Sequence, residues 1–216
     1  MTMILGSPLL TRFLGREDQL IILYGPAATG KTTLCFEAAI SKVKEKKKVL
    51  FIDTEQGFSV ERIKQMAPFW TEEMFQHIIY LDPVNFYKQN QYINRLPAIL
   101  DSSRISLVIV DSLSYFYRAE WKKDPDLMNT ILKKQLRTFH ELSRLHRIPF
   151  IITNQVYGAL RNPYKDFEMI GARVVREQAD AIIELKKVGE KNYASLIHPE
   201  TKKCEIKIEK NGIFVP

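Results

Sequence analysis

The sequence predicts an α/β protein with a mostly parallel central sheet flanked by helices and with antiparallel strands along its C-terminal edge. Up to about residue 153, short runs of Val, Ile and Leu alternate with segments of helical length. These runs are apolar at nearly every position, which is typical of parallel strands covered on both faces. After residue 181, closely spaced short segments are separated by turn residues, which favours an antiparallel edge.

The individual elements follow from local pattern. The five runs that predict parallel strands are Leu20–Tyr24, Val49–Asp53, Ile78–Leu81, Leu107–Asp111 and Pro149–Thr153. Apolar residues recur every three or four positions in Thr32–Val43 and Leu127–His146, as on one buried helix face. The four segments of the predicted edge are Ala181–Leu185, Tyr193–Ile197, Cys204–Ile208 and Ile213–Val215. No repeat or linker interrupts the pattern, so we expect one domain over residues 1–216.

Composition narrows the functional classes. The chain has 216 residues, with 32 Lys+Arg against 25 Asp+Glu and a formal charge of +7 spread along its length. A basic face assembled by folding can therefore meet a polyanion, but no basic tail is present. Two cysteines, Cys35 and Cys204, are too few for a disulfide scaffold. Without an apolar run of ~18 residues or a signal peptide, we expect a cytoplasmic protein with no membrane segment.

One motif has a specific chemical meaning. Gly25-Pro26-Ala27-Ala28-Thr29-Gly30-Lys31-Thr32, followed by Thr33, matches the pattern GxxxxGK[ST] between a predicted strand and a predicted helix. Such a loop wraps backbone N–H groups around phosphate oxygens, and the helix N-terminus adds its partial positive charge. Lys31 reaches the outer phosphates, and the Thr32 hydroxyl can ligate magnesium. The motif predicts a nucleotide-binding site.

Polar residues at the ends of other strands can complete this site. Asp111 ends an apolar strand and can place a carboxylate beside magnesium bound to Thr32. Asp53 and Glu55 are both candidates for the group that activates the attacking water, although both residue types are also common in turns and caps. The run Thr153-Asn154-Gln155, at the end of another predicted strand, supplies amides that can sense the outer phosphate, and spacing alone does not separate that role from an ordinary turn.

These motifs, in this order, resemble the ATPase core of the RecA/RadA recombinase superfamily, in particular its short archaeal branch. The resemblance covers essentially the whole chain and implies a RecA-like P-loop NTPase core. The matching runs are Gly25–Thr33, Ile52–Arg62, Val110–Leu113, Tyr117–Glu120 and Thr153–Val156. The phosphate-binding loop is common to many NTPases, whereas Asp-Thr-Glu with the following Glu-Arg and the run Tyr-Arg-Ala-Glu are specific to this branch.

The resemblance also implies roles for individual residues. Glu55 would activate water, Gln155 would sense the γ-phosphate, and Arg62 would lie against the adenine. With Lys31 and Asp111, the first two make up the expected catalytic set, and ATP and Mg²⁺ are the implied cofactors. The family's two DNA-binding loops would follow Tyr117 and run from Tyr157 to about Ile170. Their expected DNA-binding residues, with those just beyond, are Arg118, Arg161, Lys165, Arg173 and Arg176.

Two departures modify the expected activity. Gln56 stands where the family usually has glycine, beside the expected base, which favours slow hydrolysis. About 20 residues precede the phosphate-binding loop, so we expect no separate N-terminal DNA-binding domain. The resemblance then implies an ATP-binding and DNA-binding protein of homologous recombination and repair with weak ATPase activity. Its expected partners are single-stranded or branched DNA, the main recombinase RadA and a branched-DNA nuclease, and a homodimer is possible.

Two other interpretations remain open at this stage. In one, bound nucleotide gates the docking of a protein partner and hydrolysis is negligible. In the other, the chain belongs to a different RecA-like group, such as the circadian-clock-type ATPases, and forms closed hexamers. Negligible ATP turnover would support the first interpretation, and closed hexamers in the presence of ATP would support the second.

Overall fold

A computed structural model of the chain describes residues 3–16, 19–158 and 167–216. The strands are β1 (Leu20–Tyr24), β2 (Lys48–Asp53), β3 (Ile78–Leu81), β4 (Ile105–Asp111), β5 (Phe150–Asn154), β6 (Val156–Gly158), β7 (Phe167–Met169), β8 (Ala181–Val188), β9 (Lys191–His198), β10 (Lys202–Glu209) and β11 (Gly212–Phe214). The α-helices are α1 (Pro8–Phe13), α2 (Lys31–Lys44), α3 (Val60–Met66), α4 (Glu72–Phe75), α5 (Phe86–Ser103), α6 (Tyr115–Trp121), α7 (Pro125–His146) and α8 (Ala172–Gln178). A short 3₁₀ helix, Ile4–Gly6, precedes α1.

The central sheet has the predicted mixed character. Its nine strands lie in the order β11-β10-β9-β8-β1-β5-β4-β2-β3. The strands from β3 across to β8 pair in parallel, and the pairs from β8 to β11 are antiparallel. The sequence grouped β8 with the antiparallel strands, and it has both characters: it is parallel to β1 and antiparallel to β9. The antiparallel pairing therefore begins between β8 and β9.

Two apolar clusters explain why the strands are apolar at nearly every position. One face of the sheet packs against α1, α2 and α3, and its cluster includes Ile21, Phe36 and Phe51. The other face packs against α5 to α8, and its cluster includes Ile22 and Phe139. Successive residues of β1 thus enter opposite clusters, so neither face of the strand meets water.

Capping sets where the predicted helices begin. Helix α7 starts two residues before the predicted Leu127, because Pro125 occupies its first turn and the Asp124 side chain accepts a hydrogen bond from Leu127 N at 3.0 Å. Helix α2 begins at Lys31, directly after Gly30 at φ +97°. No helix in the described ranges is long and apolar enough to cross a membrane.

The parallel strands bring their carboxyl ends to one edge of the sheet. Asp53 at the end of β2 pairs with Asp111 at the end of β4, and Tyr24 at the end of β1 pairs with Asn154 at the end of β5. The phosphate-binding loop leaves β1 at this edge, so the motif residues and the strand-end residues meet there.

The close approach of this loop to β8 gives a stability prediction. Gly25 has φ +151°, and a Cβ at this position would lie 1.9 Å from the backbone oxygen of Leu185. We expect Gly25→Ala to lower the free energy of unfolding by about 3 kcal/mol or more, because the added methyl forces the loop and β8 apart. Guanidinium unfolding monitored by circular dichroism measures the change.

Gly15→Ala is the matched control, since a Cβ at Gly15 meets no atom of the described part of the chain within 4 Å. Equal unfolding midpoints for the two variants would contradict the close approach of Gly25 to β8.

Candidate functional site

The phosphate-binding loop is shaped by backbone conformations that favour glycine. Gly30 at φ +97° turns the chain into α2, and a Cβ there would lie 2.9 Å from Ile213 Cδ1. The Thr29 hydroxyl donates to Pro26 O at 2.8 Å and holds the loop closed upon itself. The N-terminus of the 14-residue helix α2 therefore opens onto the strand-end edge, where its unpaired N–H groups can receive an anion.

Lys31 lies within this loop. Its Nζ donates to the backbone oxygens of Gly25 and Pro26 at 2.8 and 2.7 Å. Burial lowers the pKa of the Lys31 ammonium, and the negative charges of Asp111 and Glu55 oppose that shift. The ammonium is thus positioned among the groups that the motif predicts around a phosphate.

Thr32 and Asp111 form the predicted oxygen pair. Thr32 Oγ1 donates to Asp111 Oδ2 at 2.7 Å, and Thr153 Oγ1 donates to Asp111 Oδ1 at 2.5 Å. Burial raises the pKa of the Asp111 carboxyl, the two hydroxyl donors lower it, and the charges of Glu55 and Asp53 raise it. A cation beside Asp111 would favour its charged form.

The donor set fits magnesium. A hydroxyl and a carboxylate are hard oxygen ligands, and Mg²⁺ usually takes one or two protein ligands together with phosphate oxygens and water. Within residues 3–16, 19–158 and 167–216, no group of three or more His, Cys, Asp and Glu side chains that could hold a metal ion is found.

Asp53 and Glu55 have different environments, although their positions in the sequence did not separate them without the family resemblance. Asp53 is 1% exposed, and its Oδ1 accepts from the backbone N–H groups of Glu55 and Gly57 at 3.2 and 3.1 Å. Its Oδ2 accepts from Phe58 N at 2.8 Å and from the Tyr80 hydroxyl at 3.1 Å. Four donors on one buried carboxylate make Asp53 the organiser of this loop. Glu55 is the exposed carboxylate of the two.

Tyr80 connects strand β3 to Asp53. Burial, followed by the charge of Asp53 and the hydrogen bond to it, raises the pKa of Tyr80 to about 12. The Tyr80 ring also packs against Phe58, with the ring centroids 5.1 Å apart. Strand β3 therefore supports the Glu55 loop through both the hydroxyl and the ring of one side chain.

A line of hydrogen bonds joins three of the predicted site residues. Gln155 Nε2 donates to Glu55 Oε1 at 2.9 Å, and Arg118 Nη1 donates to Gln155 Oε1 at 3.4 Å. The Ser112 hydroxyl donates to the same Glu55 oxygen at 2.5 Å. No role for Ser112 is predicted from the sequence. Its position directly after Asp111 was the available signal.

Arg62 lies on α3 and is tied to the end of the sheet. Its Nη1 and Nη2 donate to the backbone oxygens of Lys210 and Glu209 at 2.9 and 3.0 Å. These bonds lie in the plane of the guanidinium, and a base would stack on its face. The expected contact with adenine is compatible with this placement and stays a prediction.

The expected DNA-binding residues lie on different elements. Arg118 was expected in a loop after Tyr117, but this segment is helical as far as Trp121, because the Tyr117 side chain is buried and its hydroxyl donates to Asn129 Oδ1 at 2.8 Å. The second predicted loop, from Tyr157 to about Ile170, contains residues of the paired strands β6 and β7. Arg161 and Lys165 lie outside the described residues.

A cavity of about 890 Å³ lies between α6, α7, α8 and the β6–β7 pair. Arg118 and Arg173 both line it, so the structure brings together two of the predicted DNA-binding residues. The side chains of Trp121 and Tyr157 line it too and are 44% and 48% exposed. Arg176 lies one turn further along α8. The cavity thus combines cations with aromatic rings, the pairing that suits single-stranded nucleic acid.

Comparison with known proteins agrees with this architecture. The model of the Rad51 family matches residues 9–215. The DNA repair and recombination protein RadB of Methanocaldococcus jannaschii is 32% identical over 211 residues, which cover 94% of this chain and 96% of that protein. RadB of Methanococcoides burtonii is 32% identical over 198 residues, covering 88% and 86% of the two chains. A crystal structure of the RadB recombinase superposes with a TM-score of 0.78 at 30% identity, covering 98% of both chains.

The contacts of Asp53 yield a second stability prediction. We expect Asp53→Asn to lower the free energy of unfolding by about 2–4 kcal/mol, because the amide keeps one acceptor oxygen and turns an N–H₂ group toward buried donors. Tyr80→Phe removes one donor and leaves the other three, so we expect a loss of about 1 kcal/mol. Denaturant unfolding of both variants measures the difference, and a larger loss in Tyr80→Phe would contradict the organising role of Asp53.

Proposed function

The chain belongs to the Rad51 family, and from this premise we propose that it binds ATP and DNA in homologous recombination and DNA repair. We further propose weak magnesium-dependent hydrolysis of ATP and a helper role beside the main recombinase RadA. The observation that carries this proposal is the hydrogen-bonded line from Glu55 through Gln155 to Arg118. These hydrogen bonds link Glu55, the expected base of the nucleotide site, to Arg118, which lines the cavity that contains cations and aromatic rings.

Nucleotide binding rests on the loop from Gly25 to Thr33. Its backbone N–H groups and the α2 N-terminus surround the phosphates, and the Lys31 ammonium exchanges its two carbonyl partners for phosphate oxygens. Thr32 and Asp111 would hold Mg²⁺, which supplies positive charge against the phosphate oxygens. Arg62 would lie against the adenine ring.

Hydrolysis is assigned to Glu55. The water oxygen attacks the γ-phosphorus, the bond to the β–γ bridging oxygen breaks, and the water proton passes to the Glu55 carboxylate. Gln56 gives a reason for a slow rate. It has φ +55°, a left-handed conformation that favours glycine, so its side chain restricts the loop that carries Glu55.

DNA binding is assigned to Arg118, Arg173 and Arg176, together with Arg161 and Lys165 as the sequence predicts. Arginines supply charge against phosphates, and Trp121 and Tyr157 offer rings for unpaired bases, which favours single-stranded or branched DNA.

A branched-DNA nuclease is the second proposed partner, and a homodimer is the proposed assembly. Monomers or dimers in light scattering with ATP would agree with this proposal, and closed hexamers would favour the clock-type alternative.

Gln56 also favours a second candidate function. If its side chain stops Glu55 from activating water, bound ATP becomes a gate for docking a protein partner. This alternative predicts tight nucleotide binding with negligible turnover at saturating DNA and ATP-dependent capture of purified RadA.

The proposed roles of Lys31 and Glu55 predict that one substitution weakens ATP binding and the other slows hydrolysis. We expect Lys31→Ala to weaken ATP binding by about 100-fold, because charge-assisted bonds to the phosphates are lost. We expect Glu55→Gln to bind ATP normally and to lose about 10²–10⁴-fold in kcat, because the amide cannot accept the proton. Fluorescent-nucleotide titration and phosphate release with magnesium measure the two effects. Undiminished turnover by Glu55→Gln would remove Glu55 from the role of base.

The DNA proposal predicts a change in salt dependence. We expect Arg173→Ala to lower the slope of log affinity against log salt by about 0.7 on single-stranded DNA, the value for one lost phosphate contact. Fluorescence anisotropy over a salt series measures the slope. Lys191→Ala is the matched control, since Lys191 lies in β9 and pairs with Glu205. Equal slopes for both variants and the unmodified protein would argue against a phosphate contact by Arg173.

A further inference from the structure

Ser112 occupies a fixed point between two strands of the sheet. It follows β4, its side chain is 0% exposed, and its backbone N–H donates to the Thr54 hydroxyl at 2.9 Å. The same hydroxyl donates to Ser112 O at 2.7 Å, and Thr54 N donates to Asp111 O at 2.8 Å. These three bonds hold the segments after β2 and β4 together and leave the Ser112 side chain for another partner.

That partner is the carboxylate of Glu55. Ser112 Oγ donates to Glu55 Oε1 at 2.5 Å, a short bond of the kind that hydroxyls make to charged oxygens. Gln155 donates to the same oxygen at 2.9 Å. Among the described residues, no donor binds Glu55 Oε2. One carboxylate oxygen is therefore anchored, and the other keeps its lone pairs for a proton.

We propose that Ser112 is a positioning residue for ATP hydrolysis, which orients the Glu55 carboxylate toward the attacking water by holding Oε1. This proposal rests on the proposed ATPase function. The Ser112 hydroxyl keeps its own proton throughout, while the water proton passes to the unbonded oxygen of Glu55. Ser112 thus acts through Glu55 and exchanges no atom with the substrate.

The two donors on Glu55 differ in their freedom. Gln155 is partly exposed and shares its amide with Arg118, so it can leave Glu55 when the phosphate end of a nucleotide offers an acceptor to its N–H₂ group. Ser112 is buried and its backbone is hydrogen-bonded to Thr54, so Ser112 stays in place when Gln155 leaves Glu55. Glu55 is exposed and has three rotatable side-chain bonds, so one fixed donor removes conformations that cannot accept the proton.

The test compares kcat with ATP affinity. Ser112→Ala retains the backbone bonds to Thr54 and loses only the hydroxyl, so we expect kcat to fall about tenfold, while the KM for ATP and the fluorescent-nucleotide Kd remain unchanged. Ser112→Cys, with a weak donor of similar size, should regain part of the loss. In a Glu55→Gln background, Ser112→Ala should cause no further fall in kcat.

Ser143→Ala is the control, because Ser143 is also 0% exposed, lies on α7, and its hydroxyl has no hydrogen-bond partner among the described residues. It should leave kcat unchanged. Unchanged kcat in Ser112→Ala, or an equal fall in the Glu55→Gln background, would overturn the positioning role. If Ser112→Ala unfolds, the kcat of Ser112→Cys decides by the same criteria.

A second measurement separates this proposal from the ATPase function. Carboxyl ¹³C NMR at one pH, with the Glu55 signal assigned by its loss in Glu55→Gln, reports the contact in protein without nucleotide. We expect Ser112→Ala to move that signal and Ser143→Ala to leave it in place. An unmoved signal overturns the contact itself. If the signal moves but the unmodified protein shows no ATP turnover, the proposed ATPase function is wrong, and so is the positioning role. The contact between Ser112 and Glu55 is then still supported.

Discussion

The parallel pairing of β1, β5, β4 and β2 is the constraint on which the candidate site depends. Each of these strands ends in a polar residue, and the register places Asp53 opposite Asp111 and Thr153 opposite Leu23. Because β4 and β5 are also paired, the Thr153 hydroxyl reaches Asp111. A one-residue slip between these strands would turn each polar side chain to the other face of the sheet. Because the two apolar clusters fix the register, they determine where the polar side chains of the candidate site lie, in addition to stabilising the fold.

This convergence concentrates negative charge, and the molecule compensates each carboxylate differently. Asp53 is satisfied by three backbone N–H groups and a tyrosine hydroxyl. Asp111 receives two threonine hydroxyls, which only partly oppose the effect of burial on its pKa. Glu55 has solvent and two side-chain donors. Asp111 is thus the carboxylate that gains most from a cation, in agreement with its proposed place beside magnesium.

The sequence was sufficient wherever the signal was local. The phosphate-binding motif, the five apolar runs and the place of Asp111 at the end of its strand follow from residues that are contiguous in the chain, and these five parallel strands lie within two residues of their predicted ends. Without the family resemblance, Asp53 and Glu55 could not be separated, because both are carboxylates and only the donors from β3 and the loop distinguish them. The helix at Arg118 was missed for a related reason, since the bond that holds it joins Tyr117 to a residue 12 positions away.

The same distinction between local and distant contacts bears on how the proposed activities are connected. Ser112 is held by bonds between neighbouring strand ends, which do not depend on any side chain near the cavity. Gln155 is held by Ser114 through its backbone, while its amide is shared between Glu55 and Arg118. A DNA phosphate bound by Arg118, as proposed, would compete for the guanidinium and leave Gln155 with Glu55 alone, whereas the contacts of Ser112 would be unaffected. Any coupling between DNA binding and ATP hydrolysis through the hydrogen bonds of Arg118, Gln155 and Glu55 must therefore depend on Gln155. Ser112 would hold Glu55 in place while the Gln155 amide changes partners.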